Sequence, residues 1–376
     1  MSSSSPSSEV LESPLLAEHE ALDAHFTDFA GWRMPLKYDS DLTEHHAVRS
    51  AAGLFDLSHM GEIAVEGPDA PALLDHALVG RLSSVSVGRA KYSLMCSPEG
   101  GVIDDLVVYR LGDTRYLVVA NAANSRRVLH EMNSRAAHFD SVTVTDESPA
   151  TALIAVQGPA SREIVQSLVP VDRSGDVTDL KYYAAGPARV AGVEVLLART
   201  GYTGEDGFEL YVPNDHAVEL WRALLAKTTE LSGRPAGLAC RDTLRLEAGM
   251  ALYGHELSEE TNPFEAGLDK VVRLEKDFVG RDALAKLAEG EVRRRLVGLR
   301  GDGRRAARAG YRVLDGSGSA DIGIVTSGAL SPTLGHPIAL AYVDIESCEP
   351  GTQVNVGIRG RHEAFIVAPS PFYRRS

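Results

Sequence analysis

Residues 100–111 read GGVIDDLVVYRL, so two adjacent carboxylates, Asp104 and Asp105, follow a Gly-Gly turn and run straight into an apolar strand. Successive strand side chains point to opposite faces. Asp105 then shares a face with Ile103, Val107, Tyr109 and Leu111, while Asp104 shares the other with Val102, Leu106, Val108 and Arg110. The first face is apolar to its end and the second finishes in an arginine. Asp105 is therefore expected to point inward and Asp104 to sit nearer solvent. An inward carboxylate is costly unless hydrogen-bonded, and desolvation raises its pKa. A turn aspartate that satisfies loop N–H groups would use the same residue type after glycine.

Two further stretches hold residues that could bind a polar ligand. In RTGYTGEDGFELYV (199–212), three glycines punctuate a loop that leads into a strand, with Glu209 at the strand's start. A carboxylate there can offer two oxygens side by side to a planar donor edge such as an amidine, a guanidinium or a pterin. A strand-edge glutamate facing water fits the same pattern. CRDTLRLEAG (240–249) reads as helix, with Arg241 and Arg245 four apart on one face. Either could hold a ligand carboxylate in a fork, or form an ordinary ion pair with Asp242 or Glu247.

Other chemistries lack their residues. GDGRRA (301–306) imitates the start of a dinucleotide fingerprint but runs into GYRV rather than a helix, and no Walker A motif is present. His45-His46 and His255-Glu256 do not form H-E-x-x-H, so no metal site is expected. A net charge of −14 argues against general binding to nucleic acid or to an anionic membrane surface. No apolar run approaches the length of a membrane-spanning helix. Cys96, Cys240 and Cys348 are scattered without metal-ligand spacing, which fits a reducing cytoplasm.

The elements that must position these residues alternate along 376 residues, enough for two or three domains. The opening MSSSSPSSEVLESP is Ser/Pro-rich and reads as a disordered tail over 1–13. It carries acids and no arginine, unlike a secretory signal or a transit peptide. Strand signals recur at EIAVEG, KYSLMC, VIDDLVVYR, YLVVAN, TALIAVQG, VEVLLART and GFELYV, with a hairpin turn at Gly112-Asp113. IAVEGPDAPALLDHAL (63–78) and IAVQGPASREIVQSLV (154–169) share a strand, a Gly-Pro turn and a helical pattern, which suggests a partial duplication within an α+β body. After a boundary near 285–295 come short strands with Gly-rich turns, an all-β sandwich or barrel over 290–376. That boundary also concentrates eight arginines between Arg293 and Arg312 in an acidic chain. They are either a solvated loop or an electrostatic dock for an acidic carrier.

In combination the motifs are specific. FAGWRMPLKY, FDLSHMGEIAVEGPDA, GGVIDDLVVY, VQGPA, RTGYTGEDGFEL, LACRDTLRLEAGMALYG and VTSGALSPTLGHPIALAYV occur in this order. From about residue 14 to the C-terminus the chain closely resembles the aminomethyltransferase, or T protein, family of the glycine cleavage system. The resemblance implies an α+β, three-domain cloverleaf around a central folate site. Two interleaved α+β domains would span 14–285, followed by the C-terminal β-barrel domain. It implies transfer of the one-carbon unit of an aminomethyl group, carried on the lipoyl group of a partner H protein, to tetrahydrofolate, with release of ammonia. Motif by motif, the family's essential aspartate falls on Asp105 and its pterin-binding glutamate on Glu209. Folate contacts fall on Arg241, Tyr202, Tyr92 and Asn121, with Met60 near the pterin and Arg374 from the tail. Flavin-dependent relatives carry a large domain that is absent here, and a related group in iron–sulfur cluster maturation carries K-G-C-Y-T-G-Q-E where this chain has RTGYTGEDG. A non-catalytic folate-binding scaffold would not need Asp105.

Overall fold

The computed structural model describes residues 10–375; residues 1–9, where most of the expected tail falls, and Ser376 lie outside the described residues. Order begins before residue 14. Leu11–Glu12 pairs in parallel with Trp32–Lys37, and Ser13 is buried with its hydroxyl donating to Asp56. Asp56 is fully enclosed and also accepts from His19 Nε2 at 2.8 Å and from the Ser58 N–H at 2.9 Å. A buried carboxylate must find donors, and this one recruits the N-terminal segment.

Two sheets form the body of the protein. The first has five antiparallel strands in the spatial order Ala90–Cys96, Val102–Arg110, Arg115–Ala120, Gly61–Glu66 and Thr143–Asp146. Helices Ala70–Ala77 and Ser125–Ala136 cover one of its faces. The second has six strands in the order Ala185–Val190, Val193–Ala198, Gly207–Pro213, Thr151–Gln157, Gly53–Asp56 and Arg234–Pro235. Helices Ser161–Ser167 and Asn214–Glu230 cover it, the longer one through Ala217, Leu220, Trp221 and Leu224. That i, i+3, i+4, i+7 spacing is the apolar stripe of an amphipathic helix. The two similar Gly-Pro segments occur once in each sheet, and each turns through a positive-φ glycine, Gly67 at 127° and Gly158 at 133°. At Gly158 a Cβ would come within 2.6 Å of the Val48 and Ala51 carbonyl oxygens, so only glycine fits that turn.

The faces left free of helices turn toward each other. Tyr109, Leu117 and Val119 of the first sheet share one apolar cluster with Leu153, Ala155, Ala198 and Tyr211 of the second. Helix Leu238–Glu247 packs Cys240 and Leu244 into the same cluster.

Beyond the sheets, six strands close into a barrel in the order Arg294–Gly301, Pro337–Asp344, Asp321–Leu330, Arg312–Leu314, Gln353–Ile358 and Arg361–Ala368. Alternate residues such as Ala339, Ala341 and Val343 fill its interior, and closure removes the exposed edges of such short strands. The barrel docks through buried charge. Arg245 donates to Glu256 at 2.9 Å, to the Ser327 hydroxyl at 2.8 Å and to Asp242 at 2.8 Å. Glu247 accepts from Ser331, from the Thr333 hydroxyl at 2.8 Å, from Arg49 at 2.8 Å and from His45 at 3.2 Å. Burial pushes the Glu247 carboxyl up, but these donors outweigh it and hold it at about 2.

Replacing Arg245 with methionine would leave Glu256 buried without its cation. Removing one partner of a buried pair costs about 3–5 kcal/mol. Urea unfolding of Arg245→Met should show a loss of that order, and a loss under about 1 kcal/mol would mean the barrel does not depend on this contact.

Candidate active site

Strand Val102–Arg110 carries both acids, and its register decides where they point. Its pairing with the neighbouring strand shifts between Met95 and Cys96, where Ile103 is the extra residue of a bulge, so that Met95 opposes Asp104 and Cys96 opposes Val102. Ile103 therefore joins Leu106 and Val108 under the helices, while Val107 and Tyr109 stay on the face toward the second sheet. Asp105 lies on this second face and lines a cavity between the sheets.

The expectation that Asp104 sits nearer solvent is corrected. Asp104 is 0% exposed, because helix Ser125–Ala136 and the turn before it roof the face that was expected to meet water. Its Oδ1 accepts from the side-chain amides of Asn121 at 2.8 Å and Asn124 at 2.7 Å, and its Oδ2 from the Asn121 backbone N–H at 3.0 Å. Burial first, and then the negative charge of Asp105, push its carboxyl up to about 7. The same Asn121 amide reaches Asp105 Oδ1 at 2.9 Å, and the Tyr92 hydroxyl donates to Asp105 Oδ2 at 3.1 Å. Burial raises the Asp105 carboxyl too, against the lowering effect of those two donors.

The opposite wall is strand Gly207–Pro213. It lies inside its sheet, between Thr151–Gln157 and Val193–Ala198, so Glu209 is not at a sheet edge. Both hydrogen bonds to Glu209 fall on Oε2, from the Thr200 hydroxyl and from Tyr109 at 3.4 Å. Oε1 has no partner among the described residues. The loop before the strand wraps the Gln157 amide, which donates to the Thr200 carbonyl at 3.0 Å and accepts from Thr203 at 2.9 Å. A Cβ at Gly201 or Gly207 would lie 2.0 Å or 2.3 Å from that amide, which is why this loop needs its glycines.

Helix Leu238–Glu247 separates its two arginines. Arg245 is committed to the barrel contact, whereas Arg241 lines the cavity, stacks 4.8 Å from the Tyr202 ring centre and forms no ion pair among the described residues. Tyr202 is fixed by its hydroxyl, which donates to the Ala251 carbonyl. The cavity has a volume of about 370 Å³, within the range of small-molecule sites.

Seven of the eight residues singled out from the sequence thus border one space: Asp105, Glu209, Arg241, Tyr202, Tyr92, Asn121 and Met60. Arg374 does not. The tail is anchored one residue earlier, where the Tyr373 N–H donates to the Glu247 carbonyl at 2.8 Å and its ring lies 3.9 Å from the Arg49 guanidinium. Arg374 is left exposed beyond that anchor. The structure adds Thr200, Tyr109, Tyr183 and Tyr211 to the lining. Tyr109 shares a strand face with Asp105 by alternation, but Tyr211 comes from strand Gly207–Pro213 and Tyr183 and Thr200 from loops of the second sheet, and they carry no local signal. A smaller chamber of about 110 Å³ shares Met60, Asn121, Tyr202 and Arg241, and adds His59. That imidazole is buried with no partner at Nδ1 among the described residues, and burial together with Arg241 lowers it to about 4. Of the arginines between 293 and 312, Arg294, Arg300, Arg305 and Arg312 are already paired with Glu265, Asp302, Glu363 and Asp321.

Comparison with known proteins places this geometry. Residues 15–276 match the family described as the GCVT N-terminal domain, and 294–374 match the glycine cleavage T-protein C-terminal barrel domain. An aminomethyltransferase of Saccharopolyspora erythraea is 58% identical over 367 residues, covering 97% of this chain and 98% of its own. One from Streptomyces avermitilis is 57% identical over 381 residues and covers both chains fully. The crystal structure of glycine cleavage system aminomethyltransferase T from Bartonella henselae superposes with a TM-score of 0.88 at 36% identity, over 97% of this chain and 98% of that one.

The raised Asp104 carboxyl has a consequence for stability. A folded value of about 7 against an ordinary 3.8 means that the folded chain holds a proton the unfolded chain releases. That contribution is complete below about pH 4 and is lost as pH rises through about 7. Thermal unfolding at pH 5 and pH 8 should therefore show a larger drop for the parent than for Asp104→Asn. Equal drops would contradict the buried, proton-holding assignment.

Proposed function

The chain belongs to the glycine cleavage T-protein family of aminomethyltransferases, and from that premise we propose how its residues divide the work. The family's reaction uses tetrahydrofolate, which supplies the nucleophilic amine that receives the one-carbon unit. The donor in this reading is the aminomethylated lipoyl arm of a partner H protein; its carbon–nitrogen bond breaks to release ammonia, and its carbon–sulfur bond breaks to leave the arm as the dihydrolipoyl thiol. Three free cysteines, Cys96 and Cys240 among them buried, suit a reducing cytoplasm.

The residues fit a reduced pterin. Glu209 keeps one oxygen free beside two hydroxyl donors, which suits a planar edge of amino and ring N–H groups. Met60, Val107 and Leu153 give apolar surface for a flat ring. Arg241, without an ion pair among the described residues, brings a positive charge into the same space, available to the polar part of the ligand.

The observation that carries the proposal is that Asp105 and Glu209, from facing sheets, line one cavity. Glu209 binds and orients. Asp105, held by Asn121 and Tyr92, positions the reacting amine and accepts its proton as the new bond to carbon forms. Its raised proton affinity matches that role, since a base poised nearer neutrality takes up a proton more readily. General-base assistance of this kind contributes about 10²–10⁴ in rate.

The test is an assay of methylenetetrahydrofolate from aminomethylated H protein, with ammonia measured in parallel. Asp105→Asn should lose about 10²-fold or more in kcat while retaining folate binding. Glu209→Gln puts a donor against the ligand's donors and should weaken folate binding at least about tenfold by calorimetry. If Asp105→Asn retains activity, the base is elsewhere; if Glu209→Gln binds folate unchanged, the pterin does not lie against this strand.

A further inference from the structure

Asn121 is the residue through which the two aspartates meet. Its Nδ2 has two hydrogens, and both are engaged by carboxylates. One goes to Asp104 Oδ1 at 2.8 Å and the other to Asp105 Oδ1 at 2.9 Å, with the Asp105 carbonyl at 3.2 Å. The amide nitrogen lies between the two acids, so the amide turns its oxygen away from both. Its Oδ1 accepts no hydrogen bond from the described residues, and Asn121 borders both chambers. The end of the amide left for a ligand is an acceptor.

Resting on the folate reading above, we propose that Asp104, which touches no ligand, is a positioning residue that locks Asn121 with its carbonyl oxygen toward the cavity and so makes the site selective for a reduced pterin over an oxidised one. The reduced ring carries N–H donors where the oxidised ring has bare nitrogens. A fixed acceptor accepts from the first and faces a lone pair of the second. Leaving a buried polar group unmatched is what gives such sites their discrimination.

The geometry also says what happens when Asp104 is changed. Oδ2 serves the Asn121 backbone N–H at 3.0 Å, which cannot turn, whereas Oδ1 serves two side-chain amides, which can. In Asp104→Asn the remaining oxygen stays with the backbone N–H. The new NH₂ then faces the amides of Asn121 and Asn124, both donors. Asn121 loses a bond in its present orientation and is drawn to flip, turning its NH₂ toward the ligand.

The experiment compares binding of tetrahydrofolate and folic acid by calorimetry, in the parent, in Asp104→Asn and in Asn121→Ala, with circular dichroism confirming the fold. The parent should prefer tetrahydrofolate, and the ratio of the two dissociation constants should fall by about tenfold in Asp104→Asn. Asn121→Ala removes the acceptor outright and should lower the ratio at least as far, which keeps the test decisive should Asp104→Asn not fold. A merely structural role for Asp104 would weaken both ligands together and leave the ratio unchanged, and that result would overturn the proposal, as would an unchanged ratio in Asn121→Ala. Failure of the parent to bind tetrahydrofolate at all would instead overturn the folate reading.

Discussion

Placing two adjacent carboxylates on one strand, Asp104 fully buried and Asp105 lining the cavity, is the constraint around which the first sheet is built. Because strand side chains alternate, the pair cannot share one environment; one must face the helices and the other the space between the sheets. Neither forms an ion pair among the described residues. An ionised carboxylate in such a place is costly unless hydrogen bonds replace water. The turn after strand Arg115–Ala120 supplies them. Asn124 N–H donates to the Asn121 carbonyl at 2.9 Å, which places both side-chain amides and one backbone N–H over Asp104 just before helix Ser125–Ala136 begins. The positive end of that helix favours the same charge. Amides and the Tyr92 hydroxyl rather than cations meet the acids, so their proton affinity stays high.

The second sheet and the barrel complete the site by different means. Glu209 is supported by hydroxyl groups, and the loop that brings Thr200 beside it is shaped around the Gln157 amide. Arginine is used in two ways on one helix: Arg245, saturated by partners, ties helix to barrel, and Arg241, one turn earlier, keeps its charge for the cavity. The clamp and the site are thus on adjacent turns of the same element, and loosening the barrel would move the wall that carries Arg241.

Much of this was legible in the sequence, because the motifs are dense and short-range. The α+β body, the closed C-terminal barrel and the hairpin at Gly112-Asp113 follow from alternation and turn residues. Asp105, Glu209 and Arg241 were identified because each sits in a stretch with a specific companion set. What differed depended on contacts that strand alternation and motif position do not encode. The arginine that ends the Asp104 face suggested water, yet Arg110 folds back to the carbonyls of Val85, Gly112 and Asp113, and the bulge opposite Met95 moved Ile103 to the other side. Ser13 was read with the tail because its partner, Asp56, lies 43 residues away. Arg374 was assigned by its place in the tail, whereas the anchoring contact belongs to Tyr373.

The proposed function requires a ligand lying between the two sheets with Glu209 on one side and Asp105 on the other. A crystal structure of the protein with tetrahydrofolate bound tests that most directly. The predicted result is a pterin whose amino and ring N–H groups lie about 2.7–3.0 Å from the Glu209 carboxylate, with the reacting amine beside Asp105. A pterin bound outside this cavity, or one inside it with Glu209 turned away from the ring, would contradict it.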